Sequence, residues 1–88
     1  MRHAGAAVLD QLDRLLAQIR LLPGLKEKTR GVFYWKSRAF LHFHEDPNGI
    51  FADLRNAGGH DFDRFDVTRQ VDHAGLLDAV AKRLGAPP

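Results

Sequence analysis

A turn signal between two apolar stretches is the feature that most constrains the fold of this 88-residue chain. The turn residues "DPNG" at 46–49 separate "RAFLHFHE" from "IFADLR", and both flanks are rich in aromatic and branched side chains. Turn residues between such stretches are typical of a β-hairpin. The sequence therefore predicts antiparallel strands at about residues 39–45 and 50–55.

Two further strands are predicted on either side of this hairpin. The stretch "GVFYW" indicates a strand at 31–35, and "FDRFDV" indicates one at 62–67 after the loose connection "NAGGH". Short connections favour antiparallel hairpins over crossovers. Side chains alternate along a strand, so Phe62 and Phe65 cannot both face the core, and the sequence leaves open which of them does.

The N-terminal segment has the pattern of an amphipathic helix. Leucine and isoleucine recur at helical spacing from Leu9 to Ile19, which predicts a helix at 6–22 that Pro23-Gly24 ends. Charged residues interrupt its apolar stretch, whereas a signal peptide or a membrane span requires an unbroken one. We therefore expect no membrane association.

A second amphipathic helix is predicted at 69–84, with Thr68 as its N-cap and Gly85 at its C-terminal end. The predicted order is α-β-β-β-β-α in a single domain, residues 1–88. An antiparallel meander with both helices on one face is a two-layer sandwich, so the predicted fold class is α+β.

Composition restricts the classes of function. The chain is 44% hydrophobic and 27% charged, as in ordinary globular proteins, and it has no cysteine. Disulfides and thiolate metal sites are thus excluded, and a reducing, cytoplasmic location is expected. The net charge is only +2 and the basic residues are scattered, which argues against a nucleic-acid partner.

The hairpin turn leaves three registers open. A two-residue turn at Asn48-Gly49 places His44 opposite Asp53, whereas a four-residue "DPNG" loop places His42 there. Both registers segregate an aliphatic face from a polar and aromatic face. A bulged turn that pairs Asp46 with Ile50 would mix the two faces, so the segregating registers are preferred.

In the segregating registers, the aliphatic face suits the two helices. If "WKSR" is the turn of the first hairpin, the opposite face carries a set of aromatic, histidine and charged residues: Phe33, Trp35, Phe40, His42, His44, Phe51, Asp53 and Arg55. Four aromatic side chains bury about 600–1,000 Å² when covered, more than monomers usually expose. The sequence therefore predicts a binding or interaction module that uses this face, most simply as a homodimer.

The motifs "LPGL", "RAFLHFHED" and "FADLR" resemble the bacterial "luciferase domain" family over about residues 20–55. The helix–meander–helix order is also similar to YjbR-like domains, which have a frataxin-like layout. The activities of these families are not established, so the resemblance implies a fold rather than a reaction. It also implies that His42, His44 and Asp53 are site residues.

Two histidines and a carboxylate on one sheet face are also a candidate metal site. His42, His44 and Asp53 have the composition of a 2-His-1-carboxylate triad for a divalent metal. The alternative is that they are ordinary cross-strand partners, with no cofactor. No catalytic residues are assigned, because no nucleophile is placed near the histidines and no phosphate-binding glycine loop is present. The sequence thus leans towards a protein that is not an enzyme.

Overall fold

The structure, a computed structural model, describes residues 1–85. Its helices are α1 (Ala6–Gln11), α2 (Asp13–Arg20) and α3 (His73–Leu84), with a 3₁₀ turn at Gln70–Asp72 before α3. Its strands are β1 (Arg2–His3), β2 (Leu25–Thr29), β3 (Val32–Trp35), β4 (Arg38–Asp46), β5 (Gly49–Arg55) and β6 (Phe62–Asp66). The predicted α+β class is confirmed.

The strands form one antiparallel sheet in the order β2-β3-β4-β5-β6, and β1 pairs with the end of β4. The prediction of four strands was therefore incomplete. The sequence "LKEKT" of β2 has no aromatic residue and only one β-branched residue, Thr29, so it carries little of the signal that marks a strand. It lies at the edge of the sheet, where lysines are suited to discourage pairing with another chain.

Both predicted helices differ in detail from the structure. The first is interrupted at Leu12, whose backbone (φ −94°, ψ 6°) leaves the helical region between α1 and α2. The second begins only after the 3₁₀ turn, and Thr68 does not cap it. The Thr68 hydroxyl instead accepts from the Ile50 N–H at 2.9 Å and donates to the Asp66 carboxylate at 2.6 Å, which ties β5 to the end of β6. Gly85 ends α3 at φ +73°, as predicted.

The hydrophobic core lies between one face of the sheet and the helices. Helical and sheet residues are buried in a single cluster that includes Leu12, Leu16, Ile19, Leu41, Phe43, Leu54, Leu76 and Val80. Phe65 also packs against this cluster, so it is Phe65 rather than Phe62 that faces the core. The opposite surface of the sheet, which we call the outer face, carries the histidines.

Three of the aromatic residues predicted for the outer face are not there. Phe33 pairs with Leu41 but Tyr34 pairs with Ala39, so β4 has one extra residue, Phe40. Such a bulge reverses the alternation of side chains beyond it, and the prediction for Phe33, Trp35 and Phe40 was therefore wrong. Phe33 (1% exposed) and Phe40 (2% exposed) are core residues. Trp35 packs against the core, with its ring 5.3 Å from that of Phe40.

An ion pair joins α2 to β2 and makes stability depend on pH. Arg20 donates to both carboxylate oxygens of Glu27, at 2.6 and 2.9 Å, and the Gly31 N–H donates to the same carboxylate. The hydrogen bond from Arg20 is the main reason that the pKa of Glu27 lies below its usual value. A lowered pKa means that Glu27 stabilises the fold above its unfolded pKa and loses this effect as the pH falls through its folded pKa.

We therefore expect Glu27→Gln to lower the free energy of unfolding by about 1 kcal/mol at pH 7, because the pair is partly exposed. Urea unfolding of both proteins at pH 7 and at pH 3 measures this difference. At pH 3 the two curves should nearly coincide. A difference that is equally large at pH 3 would mean that the charge of Glu27 contributes nothing.

Candidate metal-binding site

The pairing of β4 with β5 decides which residues meet on the outer face. His42 lies opposite Asp53, His44 opposite Phe51, and Asp46 opposite Gly49. Pro47 and Asn48 are thus the central residues of the turn, and the Asp46 carboxylate accepts from the Asn48 N–H at 2.8 Å. The predicted segregation of faces is confirmed for the paired residues from Leu41 to Leu54, in the register of the "DPNG" loop, and the bulged alternative for this turn is wrong.

A third histidine joins the pair from the N-terminus. His3 of β1 pairs with His44, and the two rings stack with centroids 4.9 Å apart. Each of His3, His42 and His44 offers one ring nitrogen, and these three nitrogens lie within 4.8 Å of one another. The sequence analysis missed His3 because a strand of two residues has no periodicity to detect.

The nitrogens of His42 and His44 are in direct contact. His42 Nδ1 lies 2.8 Å from His44 Nε2, and the same Nε2 lies 3.2 Å from Asp53 Oδ2. Two ring nitrogens at this distance share one proton as a hydrogen bond, so at least one of them presents a lone pair. A cation bound to both nitrogens would take the place of the shared proton.

Asp53 is a buried charge with its own counterion. It is 6% exposed, and Arg64 of β6 donates to Asp53 Oδ1 at 2.8 Å and to Oδ2 at 2.9 Å. This two-point hydrogen bond is the main reason that the pKa of Asp53 is lowered, against the effect of burial. The carboxylate is therefore ionised beside the histidines. Arg64 was not predicted, since the facing of the last strand was left open.

The environment of His42 disfavours its charged form. Burial is the main cause of its lowered pKa, and the neighbouring His44 adds to the effect, while Asp53 opposes it. His42 is therefore an uncharged imidazole at neutral pH. This is the form of histidine that coordinates metal ions.

The outer face continues from the histidines towards the far end of β5. The Phe62 ring contacts the ring of His42, with 4.9 Å between the centroids, and the Arg55 guanidinium lies over the Phe62 ring, 4.6 Å from its centroid. Phe51 is half-buried opposite His44. Of the eight residues predicted for this face, the structure brings together five: His42, His44, Phe51, Asp53 and Arg55.

Comparison with protein-family models, with curated proteins and with solved structures finds no match for this chain. In residues 1–85, no helix combines the length and the apolar character that crossing a membrane requires.

Proposed function

We propose that this protein binds a divalent transition metal, with zinc as the best fit, through His3, His42 and His44. The observation that carries the proposal is the convergence of the three ring nitrogens within 4.8 Å. Imidazole is a preferred ligand of zinc and of neighbouring transition metals.

The spacing of the His42 and His44 nitrogens is close to the spacing of two ligands of one ion. Zinc–nitrogen bonds of about 2.0–2.1 Å at tetrahedral angles place ligand nitrogens about 3.3 Å apart. His42 Nδ1 and His44 Nε2 are at 2.8 Å, so they would have to separate by about 0.5 Å. His3 is exposed and lies on a two-residue strand, so it is the ligand with the greatest freedom to adjust.

Asp53 distinguishes this ligand set from the 2-His-1-carboxylate triad predicted from the sequence. Both of its oxygens are hydrogen-bonded to Arg64, so coordination by Asp53 would compete with an existing ion pair. We therefore assign the third ligand as His3. Asp53 supplies negative charge beside the ion, and Arg64 fixes its position. Three protein ligands leave one tetrahedral position for water or a ligand, as in sites that take part in chemistry.

The homodimer and the interaction function remain predictions, as do the cytoplasmic location and the resemblance to the "luciferase domain" and YjbR-like families. The burial of Phe33 and Phe40 removes much of the aromatic area that suggested a homodimer. Phe51 and Phe62 still lie half-buried on the outer face, which the core-forming helices do not cover. Measuring the solution mass of the metal-loaded and metal-free protein therefore tests assembly and metal binding together.

Calorimetric titration with Zn²⁺ tests the ligand set. We expect binding near one ion per chain, and we expect His44→Ala to weaken it by about 100-fold or more, since a ligand is lost. His3→Ala should weaken it by about 10-fold or more, and Asp53→Asn by less than His3→Ala. His60→Ala is the matched control, because His60 is exposed in the connection between β5 and β6 and lies outside the cluster.

Three results separate the alternatives. If Asp53→Asn lowers the Zn²⁺ affinity as much as His44→Ala does, and His3→Ala leaves it unchanged, the ligand set is the 2-His-1-carboxylate triad. If His60→Ala lowers the Zn²⁺ affinity as much as His44→Ala does, the ion binds nonspecifically to histidine side chains. Absence of binding by the folded wild type would refute the proposal. Circular dichroism of each variant confirms that the fold is retained.

A further inference from the structure

A second candidate site lies at the end of the sheet away from β1. A cavity of about 160 Å³ opens there between the β3–β4 turn and the connection from β5 to β6. Four of its lining residues are cationic and two are aromatic: Lys36, Arg38, Arg55, Arg83, Trp35 and Phe40. No carboxylate side chain lines it. The sequence analysis did not predict this cluster, because its cations come from separate elements.

Arg38 and Arg55 are held by backbone carbonyls rather than by carboxylates. Arg38 Nη2 and Arg55 Nη1 donate to the same oxygen, the carbonyl of Gly59, at 2.7 and 2.9 Å. Arg83 donates to the carbonyl of Arg55 at 2.7 Å and pairs with Asp63. Within residues 1–85, no carboxylate lies within ion-pair distance of Lys36, Arg38 or Arg55. A bound anion would offset this concentration of positive charge.

The β3–β4 turn that carries two of these cations has an unfavourable backbone. Lys36 (φ 52°) and Ser37 (φ 68°) both lie in the left-handed region, which asparagine and glycine adopt much more easily. The conformation directs Lys36 over the Trp35 ring, with its ammonium nitrogen 4.5 Å from the centroid. A two-residue hairpin turn of type I′ requires positive φ at both of its central residues, so the pairing of Trp35 with Arg38 imposes this conformation.

One residue that lines the cavity has an unsatisfied polar group. Asn56 Oδ1 is buried and has no hydrogen-bond partner within residues 1–85, although buried polar atoms usually have one. The cavity thus combines spare positive charge with an aromatic wall, and one of its lining residues has an unpaired buried oxygen.

We propose that this cavity binds a small phosphate monoester, with its phosphate between Arg38, Arg55 and Lys36 and its carbon portion against Trp35 and Phe40. A phosphate monoester carries up to two negative charges, and arginine donates to its oxygens in a fixed planar geometry. The volume of about 160 Å³ is below the range of about 300–1,000 Å³ that encloses larger ligands. The ligand is therefore a small monoester rather than an enclosed nucleotide. This inference goes beyond metal binding and does not depend on it.

Tryptophan fluorescence provides a direct test, because Trp35 is the single tryptophan of the chain and lines the cavity. We expect a saturable change in emission on titration with phenyl phosphate, and no comparable change with phenol, which lacks the charge. Arg38→Gln should weaken binding by about 10-fold, the effect of losing one charge-assisted hydrogen bond. Arg38 is exposed, so this variant should fold.

Arg69→Gln is the matched control, because it removes one arginine charge from an exposed position outside the cavity. It should bind phenyl phosphate as the wild type does, and so should His44→Ala, even if that variant no longer binds Zn²⁺. Shifts of the Gly59 amide signal in nuclear magnetic resonance spectra should follow the same binding curve. The proposal is overturned if Arg69→Gln and Arg38→Gln weaken binding equally, if phenol binds as well as phenyl phosphate, or if neither signal saturates.

Discussion

Phe33→Ala should lower the free energy of unfolding by about 3–5 kcal/mol, the usual cost of removing a large aromatic side chain from a core. Phe33 is 1% exposed and is one of the largest fully buried side chains. Removing the ring forfeits the free energy gained by its transfer out of water. It also leaves a cavity that the close-packed neighbours fill only in part. In a domain of this size, such a loss is a large share of the total stability.

Phe51→Ala is the matched control for this prediction. Phe51 has the same side chain but is half-buried on the outer face, opposite His44. We expect its loss to cost about 1–2 kcal/mol, because less apolar area is involved and water can fill the space. Urea unfolding followed by circular dichroism gives both values. A smaller loss of unfolding free energy for Phe33→Ala than for Phe51→Ala would mean that Phe33 lies on the outer face and that β4 has no bulge at Phe40.

Gly49→Ala should lower the free energy of unfolding by about 2–4 kcal/mol, through steric conflict and backbone strain together. A Cβ atom at Gly49 would overlap the hydroxyl oxygen of Thr68, and the φ of +148° is one that side chains disfavour. Displacing Thr68 would also break its hydrogen bonds with Ile50 and Asp66. The turn of the central hairpin and the end of β6 would therefore be disturbed together.

The same substitution at Gly75 is expected to raise the free energy of unfolding rather than lower it. Gly75 lies within α3, and a Cβ atom there would meet nothing within 4 Å. Alanine is favoured over glycine in a helix, so Gly75→Ala should raise the free energy of unfolding by about 0.5–1 kcal/mol. Thermal unfolding of the two variants compares them directly. Destabilisation by Gly75→Ala as large as that by Gly49→Ala would mean that open space around the glycine does not decide the result.

The two proposed sites lie at different ends of one sheet and have separate ligands. The histidine cluster is built from β1 and β4, whereas the cationic cavity is lined by the β3–β4 turn, the end of β5 with the connection after it, and Arg83 of α3. Phe62 contacts both His42 and Arg55. Variants at His44 and Arg38 therefore test the two sites independently.

Local patterns in the sequence were sufficient for the fold class and for most of the hairpin. Apolar residues at helical spacing predicted the helices, and alternation on each side of "DPNG" predicted that His42, His44 and Asp53 share a face. Both signals depend only on the periods of regular backbone structure, 3.6 residues for a helix and two for a strand. A buried face then enforces the register, because a slip by one residue would expose the core.

The tertiary structure alone decided the composition of both sites. One extra residue at Phe40 moved three aromatic residues to the core side, and no local pattern in "WKSRAF" signals this bulge. His3 reaches His44 across 40 intervening positions through a two-residue strand, and Arg64 reaches Asp53 only because β6 pairs with β5 in one register. Sequence periodicity reports the direction of side chains within an element, whereas contacts between distant elements depend on how those elements pair and pack.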